Sequence, residues 1–350
     1  MNKIVLITDL HWGCRNDISL FYEYFNKFYI ELLEYMNVNG LKDLFILGDV
    51  FDRRKYINFK TLDAARRIFF SRFRDDGIKI HIILGNHDIH YRESLELSSP
   101  MLVLNDYDNI IVYNKPTVVD INGNTISMIP WICKENEKEI TKFITDTNTD
   151  LCFGHFEFAN FPMYKGIDSE SGMSTGLFQK YELVCSGHYH TRSQKENIVY
   201  IGTPYEMNWQ DAGDAKGYHT FDFDTRKLEF HANSNILFHK INYNETSPIN
   251  LDEYDLENCF VKVIVTNKND LYRFDQFMNQ LYNKKCYEIK IIEDILENIN
   301  GEIDDNINLE DTLDVLSNYI TSIGLNDVDT SQLDAFMKKL YIEALNEEGM

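Results

Sequence analysis

The sequence predicts an α/β protein, a sheet layered with helices, on three observations. Short apolar runs of strand length alternate with longer stretches whose apolar residues recur at helical spacing. Several of these runs end in a polar motif, at the strand end where open α/β sheets hold their ligands. Apolar residues make up 44% of the 350, enough for one large core and a second, smaller domain.

Residues 3–8 form a first strand, ending in Asp9-Leu10-His11-Trp12-Gly13. Side chains two apart on a strand share a face, so Asp9 and His11 point into one space. Residues 17–39 carry Phe21, Phe25, Phe28, Leu32 and Met36 at helical spacing, stopped by Gly40. A second strand, 44–47, ends in Gly48-Asp49-Val50-Phe51-Asp52. A helix over 60–76 then turns Leu62, Ala65, Phe69 and Phe73 inward. The third strand, 78–84, ends in Gly85-Asn86-His87-Asp88. Gly85 gives a turn with no side chain in the way, Asn86 a neutral oxygen and His87 a proton donor near neutral pH.

The pattern then moves towards β, with strands at 110–113, 118–121 and 125–129 and a helix over 135–145. Strand 151–153 ends in Gly154-His155-Phe156-Glu157, and strand 183–186 in Gly187-His188-Tyr189-His190. Strands at 198–201, 217–223 and 228–232 close this unit near residue 240. A polar stretch, 241–257, reads as a junction before a small βαβ-like module built from 260–265, a helix over 270–283 and 287–292. Residues 293–311 are acidic. Two amphipathic helices follow, one presenting Leu313, Leu316, Tyr319 and Ile320, the other Leu333, Phe336, Met337, Leu340 and Tyr341. The expected domains are 1–240, 241–295 and 296–350.

Charge is unevenly spread. Residues 1–240 hold 26 Lys and Arg against 33 Asp and Glu, while 241–350 hold 8 against 23, together the net −22. Within 53–74 the sign reverses: Arg53, Arg54, Lys55, Lys60, Arg66, Arg67, Arg72 and Arg74 face only Asp63. Such a run is a solvated helix face or a phosphate-binding surface, and its nearness to the strand-end motifs favours the second. The six cysteines show no Cys-x-x-Cys spacing, which fits a reducing cytoplasm. No apolar run is long enough for a membrane span, and the N-terminus leads into a strand instead of a signal peptide.

Five strand ends thus carry Asp9 and His11, Asp49, Asn86 and His87, His155, and His188 and His190. Each alone is ordinary; five in corresponding positions are not. Carboxylate, imidazole and amide oxygen together suit Mn²⁺, Fe²⁺ or Zn²⁺. Seven ligands exceed one tetrahedral ion, so two metals is the economical count. Asp49 shared between them would set the ions about 3.5–4 Å apart. That arrangement suits in-line attack of a metal-bound hydroxide on phosphorus, with His87 protonating the leaving oxygen.

The five motifs, in this order, resemble the calcineurin-like metallophosphoesterases. Within that superfamily, Ile129-Pro130-Trp131 and Tyr200-Ile201-Gly202-Thr203-Pro204 are similar to segments of the SbcD-type DNA nucleases. The resemblance covers residues 1–240 and is only architectural beyond. It implies a four-layer αββα sandwich, a small α/β capping domain and C-terminal helices. It assigns Asp9, His11, Asp49 and His190 to one metal, and Asp49, Asn86, His155 and His188 to the other. His87 becomes the transition-state donor, and Asp52 orients that histidine or the DNA. Further implications are Mn²⁺ (or Mg²⁺), 3′→5′ exonuclease and single-strand endonuclease activity, a homodimer built on N-terminal helices, and an SMC-like coiled-coil ATPase partner of the SbcC type. Candidate DNA contacts are Arg53, Arg54, Lys55, Lys60 and His90. Other readings are a phosphatase or small-molecule phosphodiesterase on the same scaffold, or a subunit acting mainly in assembly. His81, His219 and His231 are expected to pack in the core. Trp12 is expected to be a pocket wall or a base-stacking group.

Overall fold

The computed structural model describes residues 2–293 apart from 165, 166, 170 and 248, together with position 333. The chain divides into two compact units, Met1–Ile292 and Glu293–Met350. The two C-terminal helices expected from the sequence lie outside the described residues.

The first sheet is built on β1 (Lys3–Ile7), β2 (Asp43–Ile46), β3 (Lys79–Ile83) and β4 (Ile110–Tyr113), all parallel. The second contains β5 (Thr117–Ile121), β6 (Asn124–Ile129), β7 (Leu151–His155), β8 (Leu183–Gly187), β9 (Ser193–Lys195) and β10 (Ile198–Tyr200), in the order β9-β10-β8-β7-β6-β5. Two later strands, β11 (Gly217–Asp222) and β12 (Lys227–Ala232), return to the first sheet, whose order is β12-β11-β1-β2-β3-β4. The near-continuous apolar strands β1, β2, β3, β7 and β8 are buried on both faces, as parallel strands require.

Three apolar layers account for the packing. Ile4, Leu6, Phe45, Leu47 and Ile83 of the first sheet meet Ile126, Met128, Phe153 and Cys185 of the second. On the outer face of the first sheet, Val5, Ile7, Leu44 and Ile80 pack under α1 (Ser19–Val38), through Phe21, Phe25, Phe28, Leu32 and Met36. The outer face of the second sheet covers itself with Ile140 and Ile144 of α4 (Glu137–Asp146). The result is the expected four-layer αββα sandwich.

The second helical stretch departs from a plain α-helix. Between α2 (Phe59–Ala65) and α3 (Ser71–Asp75), Arg66–Phe70 form a π turn. Phe69, Phe70 and Phe73 face the core within and just after this wider turn, and the apolar spacing carries no mark of it. Trp12 is 1% exposed and stacks against Tyr29, with Phe25 at its edge. It is a core residue, neither pocket wall nor stacking platform. His81 is fully buried on Phe45, with Nδ1 bonded to the Tyr113 hydroxyl (2.8 Å).

A third sheet follows, of β13 (Phe238–Asn244), β14 (Phe260–Asn267) and β15 (Glu288–Glu293), with α5 (Leu271–Asn283) between the last two. The strand β13 runs across the position where composition suggested a junction. Lys240–Asn244 alternates with period two, but the segment's polar residues outnumber Phe238, Ile241 and Tyr243, so that by composition it reads as a junction. No helix among the described residues is long and apolar enough to cross a membrane.

His219, whose Cα partner on β1 is Leu6, is 3% exposed and its Nδ1 has no hydrogen-bond partner among the described residues. Burial, then the charge of Arg192, holds its pKa down to about 3. The unfolded chain therefore takes up this proton below pH ~6.5, while the folded chain does not. Its stabilisation is complete above that pH and is lost at about 1.4 kcal/mol per pH unit as pH falls towards the folded value. In urea titrations of metal-free protein at pH 7 and pH 5, His219→Phe will lose less stability than the native chain by about one and a half such steps.

Candidate metal centre

The polar strand ends meet at one edge of the sandwich. Because β1, β2 and β3 are mutually parallel, and β7 and β8 likewise, their carboxyl ends lie together. The loops are laced by main-chain bonds: Asp9 N–H donates to Gly48 O (3.0 Å), His11 N–H to Asp49 O (3.1 Å) and Trp12 N–H to Val50 O (3.0 Å). Sharp turns aim the side chains inward. Asp9, His11, Asp49 and His188 all have positive φ (52°, 44°, 54° and 89°), a region non-glycine residues seldom occupy. Such strain gathers at functional sites. Gly187 allows the two sheets to close here: a Cβ on it would lie 2.1 Å from Thr8 Oγ1 and 2.8 Å from His155 Nδ1.

Seven donor side chains converge. Ligand atoms of Asp9, His11 and His190 lie within 4.8 Å of one another, as do those of Asp9, Asp49 and His155. Asp49 Oδ2 is 3.3 Å from His155 Nε2 and 3.8 Å from His11 Nε2, so this carboxylate stands between the two groups. Asn86 Oδ1 is 3.0 Å from both His155 Nε2 and His188 Nδ1. His155 Nδ1–H donates to Leu47 O (2.7 Å), which turns Nε2 to the cavity.

The electrostatics call for cations. Burial would raise the carboxyl of Asp9, but His11, whose Nε2 stands 3.8 Å from Oδ1, holds it at about 2. Burial likewise opposes ionisation of Asp49, yet His155 and His87 keep it well below its usual range. In return, and against burial, Asp49 pushes His155 up to about 9. His188 and His190 are held down to about 3 and about 4, by burial first and then by His155 and His11 respectively. His11 Nδ1 and Nε2 and His190 Nδ1 are buried without a hydrogen-bond partner among the described residues. Orphaned imidazole nitrogens beside ionised carboxylates and an amide oxygen, without a thiolate, fit borderline divalent ions.

His87 lies beside this set. Its N–H donates to Asp49 Oδ1 (2.8 Å), and its Nδ1 is 2.6 Å from Asp52 O, an acceptor, so Nδ1 carries a proton. The main-chain carbonyl of Asp52, not its carboxylate, therefore sets this ring; the Asp52 carboxylate faces His11 Nδ1 at 3.3 Å. Asp88, noted in the sequence only as part of its motif, organises the centre. Its fully buried carboxylate accepts the N–H groups of Asp49, Val50 and Gly85, each at 2.9 Å, tying the loops after β2 and β3 together. A carboxylate one residue past the histidine, at the end of a buried strand, is the signal that could have identified it.

The basic stretch is partly occupied with its own neighbours. Arg53 pairs with Asp17 (2.8 Å) and Asn16 (2.7 Å), and Lys60 Nζ donates to Ser19 Oγ (2.5 Å). Arg54 is half-buried, with Asp49 and Arg92 among the charges that act on it. Lys55 is exposed, and His90 packs edge-on against Tyr91.

Comparison with known proteins extends these observations. The family model for calcineurin-like phosphoesterases matches residues 2–192. Exonuclease subunit 1 of Enterobacteria phage T4 is 33% identical over 348 residues, 98% of this chain and 99% of that protein. The DNA double-strand break repair protein Mre11 of Methanocaldococcus jannaschii is 23% identical over 324 residues, 86% of this chain and 83% of that one.

Proposed function

Because this chain belongs to the calcineurin-like phosphoesterase family, we propose that it is a two-metal DNA nuclease, a 3′→5′ exonuclease and single-strand endonuclease. The observation that carries the reading is the gathering of donors from five strand ends into one buried cluster, in a chain similar over 98% of its length to a phage exonuclease subunit. In this reading Asp9, His11, Asp49 and His190 hold one ion, and Asp49, Asn86, His155 and His188 the other, Mn²⁺ being preferred and Mg²⁺ the alternative. When bound, the ions supply an activated water and neutralise charge on the phosphate oxygens.

The remaining work falls to the chain. His87 delivers a proton from Nε2 to the leaving oxygen; burial lowers the ring's pKa, while Asp49 and the Asp52 carbonyl, which fixes the ring through Nδ1, work against that fall. Asp88 keeps the loops bearing Asp49 and Asn86 in register. Half-buried Arg54 and exposed Lys55 meet neighbouring phosphates, with Arg53, Lys60 and His90 at the edge of that surface.

A chain of net charge −22 holds DNA weakly by itself, since phosphate neutralisation dominates affinity. An SMC-like, SbcC-type coiled-coil ATPase supplies the missing attraction, and the acidic C-terminal third faces it. The third sheet with α5 acts as the capping domain (241–295), 296–350 docks the ATPase, and the active form is a homodimer working in the cytoplasm of the host cell. Digestion of labelled linear duplex and single-stranded circle, with Mn²⁺, Mg²⁺ or chelator, tests this. Cleavage of both DNAs with Mn²⁺ and none in chelator is expected. Hydrolysis of p-nitrophenyl phosphate without DNA cleavage, with or without an ATPase subunit, would overturn it.

A further inference from the structure

One aromatic side chain outside the donor set stands over the centre. The Trp131 ring centroid is 5.2 Å from that of His188 and 5.9 Å from that of His155. Its main chain is pinned on both sides, with N–H donating to Leu84 O (2.8 Å) and O accepting from Asn136 Nδ2 (2.9 Å). The indole is only half-buried. A rigid, partly exposed aromatic is an unusual thing to leave at the rim of a buried polar site.

Beside it opens a cavity of about 110 Å³ lined by Trp131, Ile132, His155, Glu157, Gly172 and Met173. Its far wall is built by backbone. Met173 N–H donates to Glu157 O (2.8 Å) and Ala159 N–H to Met173 O (3.2 Å). Gly172, at φ +131°, is required for that approach, because a Cβ would lie 2.6 Å from Ala159 N and 2.7 Å from Glu157 O. The volume is on the scale that takes a single flat ring, since an apolar cavity of about 150 Å³ takes benzene. His155 belongs both to this wall and to the donor set, so a group here would be continuous with a phosphate there.

We infer that this cavity receives the nucleobase next to the phosphodiester being cut, stacked on Trp131 with its polar edge towards Glu157. The inference rests on the nuclease reading above and adds the part of the substrate that the phosphate site does not read. Every base has a π face, so stacking is tolerant of sequence. Every base also presents an N–H donor on its Watson–Crick edge, which the Glu157 carboxylate can accept. A base held by that edge is unpaired, so the pocket selects a single-stranded or frayed 3′ nucleotide, and its single-ring volume favours a pyrimidine.

The test uses single-stranded oligonucleotides with a normal or an abasic 3′-terminal nucleotide, and the full chain with Mn²⁺. Stacking measured by alanine substitution is worth about fivefold or more per base. The native chain should therefore favour the base-bearing oligonucleotide by at least that factor in kcat/KM, chiefly through KM. Trp131→Ala should collapse the ratio towards one and Trp131→Phe should keep most of it. Independently of hydrolysis, deoxycytidine monophosphate should quench tryptophan emission of the metal-free chain, deoxyribose 5-phosphate should not, and Trp131→Phe should remove the quenching. An unchanged ratio in Trp131→Ala, with DNA still cut, would overturn this inference alone. No cleavage of either oligonucleotide by the native chain would overturn it together with the nuclease reading.

Discussion

An Asp49→Asn chain should lose DNA hydrolysis by at least about three orders of magnitude and bind manganese at least about a hundredfold more weakly. Asp49 is 2% exposed and both of its oxygens are engaged: Oδ1 takes the His87 N–H, and Oδ2 faces His155 and His11. Asparagine keeps the size but offers one neutral oxygen and an NH₂ that cannot ligate a cation. Either the hydrogen bond that fixes the His87 loop or the contact between the two donor groups must go. Three orders of magnitude correspond to about 4 kcal/mol of transition-state stabilisation, in the range metal-centred charge stabilisation supplies. Circular dichroism in chelator checks that the fold survives, and titration calorimetry with Mn²⁺ reads the loss of affinity. Native affinity with lost activity would remove Asp49 from the ligand set.

A His87→Gln chain should separate chemistry from metal binding. His87 contributes its ring from outside the donor set, and its N–H to Asp49 survives any side-chain change. Manganese affinity should therefore stay within about threefold of native. DNA cleavage should fall by about 10²–10⁴, the usual worth of a positioned general acid. Hydrolysis of bis-p-nitrophenyl phosphate should fall by less than about tenfold, because p-nitrophenolate departs without a proton. Equal losses on the two substrates would mean that His87 serves the phosphate or the metals and not the leaving oxygen.

Much of this architecture was legible because the chemistry sits where the hydrophobic pattern stops. Asp9, Asp49, Asn86, His155 and His188 each follow an apolar run, and parallel strands bring such ends to one edge whatever lies between them. The inward face of α1 followed from 3.6-residue spacing for the same reason. Other features depend on contacts that a linear pattern does not encode. The π turn at Arg66–Phe70 leaves no mark in the apolar spacing, and the polar residues of β13 outnumber its apolar ones. Trp12 next to a candidate ligand invited a role in the pocket, but α1 brings Phe25 and Tyr29 over it. Asp88 counts through main-chain N–H groups from two loops, and the Asp52 carbonyl on His87 is a backbone property no side-chain motif records. The basic run at 53–74 looked uniform in sequence; in three dimensions Arg53 and Lys60 are already engaged, leaving Arg54 and Lys55 nearer to hand.

The central claim is that separate strand ends make one site for a pair of divalent ions. Equilibrium dialysis of the native chain against Mn²⁺, followed by elemental analysis, tests it without reference to any substrate. Two ions per chain, falling to one or none in Asp49→Asn, is the expected result; one ion or none in the native chain would contradict the account.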